Sequence, residues 1–116
     1  YFYNYQNMEM NNAIEALAAL AQDTRLEIFR ALVRVHSPRP EEAGLSAGAL
    51  ATQLDVAAPT LSFHLKELAH AGLLTSRRDG RSIIYTANFQ TMRALTSYLI
   101  EDCCQGACAI TLEECC

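Results

Sequence analysis

The sulfur atoms of this chain are gathered at one end of its sequence. All five cysteines lie in the stretch CCQGACAITLEECC, residues 103–116, and the preceding 102 residues contain none. Thiolates with no histidine among them suit a soft, thiophilic ion. Cys104 and Cys108 would share a face if the last helix continued through them, and adjacent Cys103 could join them. The sequence therefore predicts a three-sulfur metal site at these residues.

Several ions fit such a donor set. Trivalent arsenic takes three sulfurs in a pyramid, and Sb(III) would occupy the same pyramid. A site limited to Cys103 and Cys104 would favour a trivalent methylarsenical. Zinc needs a fourth ligand to close a tetrahedron, which Cys115 or a partner chain could supply. Cys108, Cys115 or Cys116 could supply the third thiolate. A redox switch in the tail and a metal-thiol carrier are the other hypotheses.

Length and composition favour one globular domain. The chain has 116 residues, of which 51% are hydrophobic and 19% charged, enough for a single core. No apolar run approaches the roughly 20 residues of a membrane span, and no signal-peptide pattern is present. Five cysteines, two pairs of them adjacent, suit a disulfide framework poorly and indicate a reducing compartment. We therefore expect a cytoplasmic protein.

Apolar residues at helical spacing predict the first half of the fold. The first helix is expected over residues 12–21, and the second follows a cap at Asp23 or Thr24. The buried stripe of the second helix is predicted to contain Leu26, Ile28, Phe29, Leu32 and Val33. A proline-containing loop then ends at a cap, Ser46, before a short helix over residues 47–55.

A longer helix, a hairpin and a last helix complete the pattern. Pro59 suits the first turn of the fourth helix, which Gly72 ends. The apolar face of that helix is predicted to contain Leu61, Leu65 and Leu68. Two runs rich in strand-forming residues flank Asp79-Gly80, a strong hairpin signal. Asn88 caps the last helix, which we expect to run into the cysteines with an apolar set of Met92, Leu95, Leu99 and Ile100.

This order of elements predicts a mainly α fold with a small β-hairpin, a winged helix-turn-helix (α-α-α-α-β-β-α). The second helix of such a pair fits the major groove of DNA, about 12 Å wide. The candidate DNA contacts of that helix are Thr60, Ser62, Phe63, His64 and Lys66, with a structural role as the alternative for the histidine. The candidate contacts of the hairpin, to phosphates or the minor groove, are Arg77, Arg78 and Arg81.

Charge placement supports this hypothesis better than the net charge does. The net charge of −4 argues weakly against nucleic-acid binding. From residue 60 to residue 86, however, four basic residues stand against two acidic ones, whereas residues 101–116 contain four acidic residues and no basic one. A modestly basic segment therefore lies beside an acidic tail.

These residues also carry a resemblance to a known family. IEALAALAQDTRLEIFRALV and LATQLDVAAPTLSFHLKELAHAGLLTSRRDGRSIIYTA are similar to ArsR/SmtB winged-helix repressors, over about residues 13–87. The resemblance implies a homodimer built from the first and last helices and bound to an inverted-repeat operator. Metal-responsive members often carry a cysteine pair in the helix before the recognition helix, and this chain has none there. Its tail resembles that of an arsenic-responsive branch, whose third thiol lies slightly farther along than Cys108.

Together these features predict an arsenite-responsive transcriptional repressor with no catalytic residues. The apo dimer would bind double-stranded operator DNA, and capture of As(III) by the tail would release it. The sequence contains no glycine-rich phosphate loop and no Ser/His/Asp pattern, so we do not expect an enzyme. We expect residues 1–7 to be an added or disordered leader, residues 8–102 to form the DNA-binding and dimerisation domain, and residues 103–116 to bind the inducer.

Overall fold

The computed structural model describes residues 8–103, so the predicted leader and nearly all of the predicted tail lie outside it. Within this range the elements are α1 (Met10–Leu20), α2 (Asp23–Arg34), β1 (Leu45–Ser46), α3 (Ala47–Leu54), α4 (Ala58–His70), β2 (Leu74–Asp79), β3 (Ser82–Ala87) and α5 (Phe89–Leu99). A 3-10 turn, Pro40–Glu42, precedes β1. None of the helices in the described range is long and apolar enough to cross a membrane. The order confirms the predicted winged helix-turn-helix.

The core forms where α1, α2, α3 and α4 pack together against the sheet. Its largest fully buried side chains are Ile28, Leu32, Leu50, Leu61, Leu65, Leu68 and Leu73. The predicted apolar face of α4 is therefore confirmed. The buried residues of α1 are all alanines (Ala13, Ala16 and Ala19), and Leu20, partly buried, also packs against the core.

The buried stripe of α2 is narrower than its apolar pattern indicated. Ile28 and Leu32 are fully buried and Phe29 is nearly so. Leu26 and Val33, by contrast, are 45% and 36% exposed, so their predicted burial was wrong. Spacing alone places both residues at the edges of the apolar face, and the partner helices cover only its centre.

The predicted cap of α2 was also wrong by one residue or more. Gln22 caps the helix through its side-chain oxygen, which accepts a hydrogen bond from the Arg25 N–H at 3.0 Å. Asp23 is instead the first helical residue, where its charge is favourable to the helix dipole. The caps predicted at Ser46 and Asn88 are both confirmed.

The sheet has a third strand that the sequence pattern did not reveal. β1 pairs antiparallel with β3, through Leu45 with Tyr85, and the strand order is β1-β3-β2. Gly44, at φ +98°, makes this possible, because a Cβ there would collide with the Tyr85 carbonyl oxygen. The predicted hairpin turn is confirmed, since Asp79 pairs with Ser82 across a two-residue loop with Gly80 at φ +63°.

The last helix ends earlier than predicted. α5 ends at Leu99, and Asp102 adopts the left-handed conformation with φ +62°. The expectation that the helix runs into the cysteines was therefore wrong. Cys104 and Cys108 therefore do not lie on an uninterrupted continuation of α5, and both lie outside the described residues.

Candidate nucleic-acid interface

Helices α3 and α4 form the helix-turn-helix pair around a tight connection. Ser46 caps α3 by accepting a hydrogen bond from the Ala49 N–H at 3.1 Å. Asp55 ends α3 with φ +56°, a left-handed conformation that Asp tolerates better than most residues. Pro59 lies in the first turn of α4, as predicted. The short turn fixes the angle at which α4 leaves the core.

The outward face of α4 contains four of the five DNA contacts predicted for this helix. Thr60, Ser62, Phe63 and Lys66 are all exposed, while the three leucines of the opposite face are buried. Phe63 is 55% exposed, an unusual position for a large aromatic side chain. This face therefore presents two hydroxyls, one cation and one apolar ring. These groups can contact phosphates, base edges and thymine methyl groups.

The structure places His64 differently from its neighbours. Its side chain is only 9% exposed, and its Nδ1 accepts a hydrogen bond from Arg25 Nε at 3.1 Å. Burial first, and then the positive charge of Arg25, lower the pKa of His64 below its ordinary value of 6.5. The ring is therefore neutral near pH 7, and with Nδ1 accepting, its proton lies on Nε2.

Arg25 joins the surface of α4 although it belongs to α2. Its guanidinium carbon lies 5.6 Å from the centre of the Phe63 ring, within the range of a cation–π contact. Phe63 and His64 meet edge to face, with 5.6 Å between their ring centres. Arg25 was not among the predicted site residues. The signal available in the sequence was a lone arginine in the first turn of a helix, where the dipole disfavours a cation.

The three wing arginines have different surroundings. Arg78 and Arg81 are exposed, Arg81 in the loop of the hairpin. Arg77 is half-buried, and its two terminal nitrogens donate to the Ala43 carbonyl at 2.7 Å and the Glu41 carbonyl at 2.9 Å. Because side chains alternate along a strand, neighbouring Arg77 and Arg78 point to opposite faces of the sheet.

Of the predicted metal ligands, only Cys103 lies in the described range. It is half-buried, and its backbone N–H donates to the Ile100 carbonyl at 3.1 Å. Cys104 and Cys108, like Cys115 and Cys116, lie outside the described residues. Between residues 8 and 103, no group of three or more His, Cys, Asp or Glu side chains is arranged to hold a metal ion. The three-sulfur site stays a prediction.

An apolar surface lies on the outside of α1 and at the end of α5. Met10, Ile14 and Leu17 follow one another at helical spacing and are 62%, 55% and 43% exposed. Leu99, the last residue of α5, is 57% exposed, and α5 packs against α1. These four residues are called the α1/α5 surface below.

The chain is similar to known DNA-binding regulators. A family model described as a helix-turn-helix domain matches residues 20–77. The transcriptional activator HlyU of Vibrio cholerae is 31% identical over 105 residues, 89% of this chain and 90% of HlyU. The solved structure of HlyU matches with a TM-score of 0.62 at 30% identity, over 84% of this chain and all of that one.

Two further solved structures extend the likeness. An ArsR-like transcriptional regulator from Rhodococcus sp. RHA1 matches with a TM-score of 0.64 at 34% identity, over 78% of this chain and 79% of that one. A possible transcriptional regulator for arsenical resistance matches with a TM-score of 0.61 at 26% identity, over 73% and 80%. Fold, exposed recognition helix and wing thus define a winged helix-turn-helix DNA-binding protein. The chain belongs to the ArsR/SmtB family of transcriptional regulators, which are not enzymes.

Proposed function

We propose that this protein is an arsenite-responsive transcriptional repressor. It binds operator DNA as a homodimer, and As(III) captured by Cys103, Cys104 and Cys108 releases it. The observation that carries the proposal is that all five thiols of a DNA-binding regulator follow α5 directly, with no histidine among them. Sb(III) or a trivalent methylarsenical would occupy the same donors. A relative with 26% identity is described as a possible regulator for arsenical resistance, which supports this class of inducer.

The DNA contacts follow from the exposed faces of α4 and the wing. Lys66, Arg78 and Arg81 are exposed cations that can neutralise phosphates, and Thr60 and Ser62 can donate to phosphates or base edges. The Phe63 ring contributes an apolar contact in the major groove. Since the net charge is −4, this local basic surface has to overcome repulsion from the rest of the chain. Because the exposed cations would displace counterions from the phosphates, DNA binding should weaken as salt is added.

The dimer is proposed to form through the α1/α5 surface. Four large apolar residues of α1 and α5 are each more than two-fifths exposed, and clustered exposed apolar residues mark interaction sites. A two-fold axis through this surface would place the two copies of α4 on the same side of the dimer. Spaced about 34–36 Å apart, they would meet successive major grooves of a palindromic operator.

Arsenite capture is proposed to act through α5. Cys103 lies four residues after Leu99, so a ligand bound there acts directly beside the α1/α5 surface. The ion has to bind more tightly to the dimer geometry that does not fit DNA than to the one that does. A ligand with equal affinity for the two geometries would leave the equilibrium between them unchanged. A coupling free energy of about 1–3 kcal/mol would lower operator affinity roughly 5- to 150-fold.

The test is an operator-binding titration followed by fluorescence anisotropy. The operator is first selected from a random-sequence duplex pool with the reduced apo protein. Arsenite is then added to the complex formed by wild type, Cys103→Ser, Cys104→Ser and, as the matched control, Cys116→Ser. We expect release from wild type and Cys116→Ser only. The sensor assignment fails if the Cys103 and Cys104 variants dissociate at the same arsenite concentration as wild type.

Further arms of the same assay separate the competing hypotheses. Antimonite and a trivalent methylarsenical should also cause release, whereas zinc and peroxide should not. Release by zinc or peroxide alone would point to a zinc or redox switch in the tail. Because the relative HlyU is named an activator, in vitro transcription measures the sign of regulation separately. We expect repression in the apo state.

A further inference from the structure

We propose that Arg25 of α2 contacts a DNA phosphate beside the recognition helix, and that His64 is the positioning residue that directs the Arg25 guanidinium there. The inference rests on the DNA binding of the proposed function, but not on its response to arsenite. It adds a third element, α2, to the recognition helix and the wing as a source of DNA contacts.

The guanidinium of Arg25 uses only one of its three nitrogens within the described part of the chain. Arg25 Nε donates to His64 Nδ1 at 3.1 Å, which fixes one edge of the guanidinium. Within residues 8–103, its two terminal nitrogens make no hydrogen bond or ion pair. Four N–H donors of a permanently charged group are thus left for solvent or for a ligand. A guanidinium with its far edge open matches the fork geometry that recognises phosphate oxygens.

The guanidinium of Arg25 lies beside the exposed face of the recognition helix α4. The guanidinium carbon is 5.6 Å from the centre of the Phe63 ring, and Phe63 is 55% exposed on the outward face of α4. Exposed Thr60 and Lys66 lie one turn before and one turn after Phe63 on the same helix. A duplex that contacts this face therefore comes within reach of Arg25 as well.

The electrostatic field around Arg25 favours an anion. Arg25 is the third residue of α2, at the helix end that carries partial positive charge. A cation gains nothing from this position in the free protein, and no carboxylate within residues 8–103 pairs with it. A phosphate oxygen, in contrast, would be attracted by the guanidinium and by the helix end together.

The choice of histidine as the partner is consistent with this role. A neutral imidazole accepts the Nε–H and orients the side chain without cancelling its charge. An Asp or Glu in the same place would form an ion pair and neutralise the charge that a phosphate needs. The burial of His64, together with the edge-to-face contact of its ring with Phe63, holds the acceptor in a single position.

The charge of Arg25 is tested by salt dependence. The selected operator and an unrelated duplex are titrated over a salt series with wild type, Arg25→Gln and, as the control, Arg93→Gln. Arg93 is also an exposed helical arginine, but it belongs to α5. Arg25→Gln should weaken binding to both duplexes by a similar factor. It should also reduce the slope of log K against log salt by about 0.9 for each phosphate that the protein no longer neutralises, about 1.8 for a dimer.

The outcomes are distinguishable from one another. A wild-type slope for Arg25→Gln overturns the inference, as does an equal change of slope for Arg93→Gln, which would reflect net charge alone. If wild type itself binds neither duplex, the proposed function fails instead.

The positioning role of His64 is tested by two substitutions. Asn can present its Oδ1 near the place of Nδ1, whereas Leu fills similar volume without an acceptor. We expect His64→Leu to reduce the salt slope as Arg25→Gln does, and His64→Asn to restore it. The folded fraction of each variant is measured by circular dichroism at every salt concentration and the binding constants are corrected for it, so the slope reports positioning even if stability falls. The role is refuted if His64→Leu keeps the wild-type slope or if His64→Asn fails to restore it.

Discussion

Arg77 should contribute more to stability than to DNA binding, and Arg77→Met tests this. Sequence places Arg77 with Arg78 and Arg81 as equivalent basic residues of the wing. In the structure its terminal nitrogens donate to the carbonyls of Ala43 and Glu41, which join β2 to the segment before β1. Methionine keeps the apolar stem of the side chain but removes every donor.

The expected destabilisation can be worked out from the two acceptors. Ala43 is 4% exposed, so its carbonyl loses a 2.7 Å charge-assisted bond in a place that water reaches poorly. Leaving a buried acceptor without a partner costs about 1–3 kcal/mol. The Glu41 carbonyl lies in an exposed turn, where water replaces the arginine at a cost of about 0.5 kcal/mol. The free energy of unfolding should therefore fall by about 2 kcal/mol.

The assay is urea unfolding of the apo protein at one fixed concentration, because association would change the apparent stability. Arg78→Met is the matched control, since it removes the same group from the exposed face of the same strand. We expect it to change the free energy of unfolding by less than about 0.5 kcal/mol while weakening DNA binding. Equal stability of the two variants, with equally weakened DNA binding, would refute the division of roles between them.

Three further predictions concern the turn before β1, the buried histidine and the dimer. Gly44→Ala should destabilise the protein by about 2–4 kcal/mol, because the new Cβ meets the Tyr85 carbonyl. Gly80→Ala should cost only about 1–2 kcal/mol, because no atom lies within 4 Å of a Cβ there and only the left-handed backbone is unfavourable; urea unfolding measures both free energies. Because the pKa of His64 is lowered in the folded protein, the unfolded chain takes up a proton at this histidine first as the pH falls. The stabilisation from neutral His64 is therefore complete above pH 6.5 and is lost as the pH falls from there through the folded pKa. His64→Asn should flatten that part of the profile of unfolding free energy against pH. Ile14→Asp should convert the dimer to monomer in sedimentation equilibrium. If this variant dimerises with the same dissociation constant as wild type, the α1/α5 surface is not the dimer interface.

The sequence predicts most of the fold because its strongest signals are local. Proline in a first turn, Asp-Gly between two β-rich runs and three leucines on one face each specify an element through their own backbone or packing preferences. Leu26 and Val33 were misjudged because periodicity identifies an apolar face but does not show how much of it neighbouring helices cover. β1 was missed because a two-residue strand has no period, and its existence depends on the close approach of Gly44 to β3.

The candidate DNA surface was only partly predictable for a related reason. The exposed face of α4 follows from the burial of its leucines, so Thr60, Ser62 and Lys66 could be placed from spacing alone. The pairing of Arg25 with His64 joins residues 39 positions apart, and nothing in the local sequence specifies it. The same is true of Arg77, whose carbonyl partners lie more than 30 positions away.

The early end of α5 changes what arsenic capture has to accomplish. A helix continuing to Cys108 would present two thiols one turn apart with little rearrangement, but the chain leaves the helix at Leu99, and Asp102 has φ +62°. A centre that includes Cys103 would therefore not be built on a continuation of α5, and the new bonds to sulfur would have to offset the cost of any rearrangement that it requires. Leu99 adjoins this segment and belongs to the α1/α5 surface, so any shift of the end of α5 changes apolar contacts between subunits. The required coupling of about 1–3 kcal/mol equals the burial of only a few methylene groups, at about 0.8 kcal/mol each. In the proposed mechanism, a small displacement of Leu99 would thus be sufficient to couple ligand binding at the thiols to the affinity for DNA.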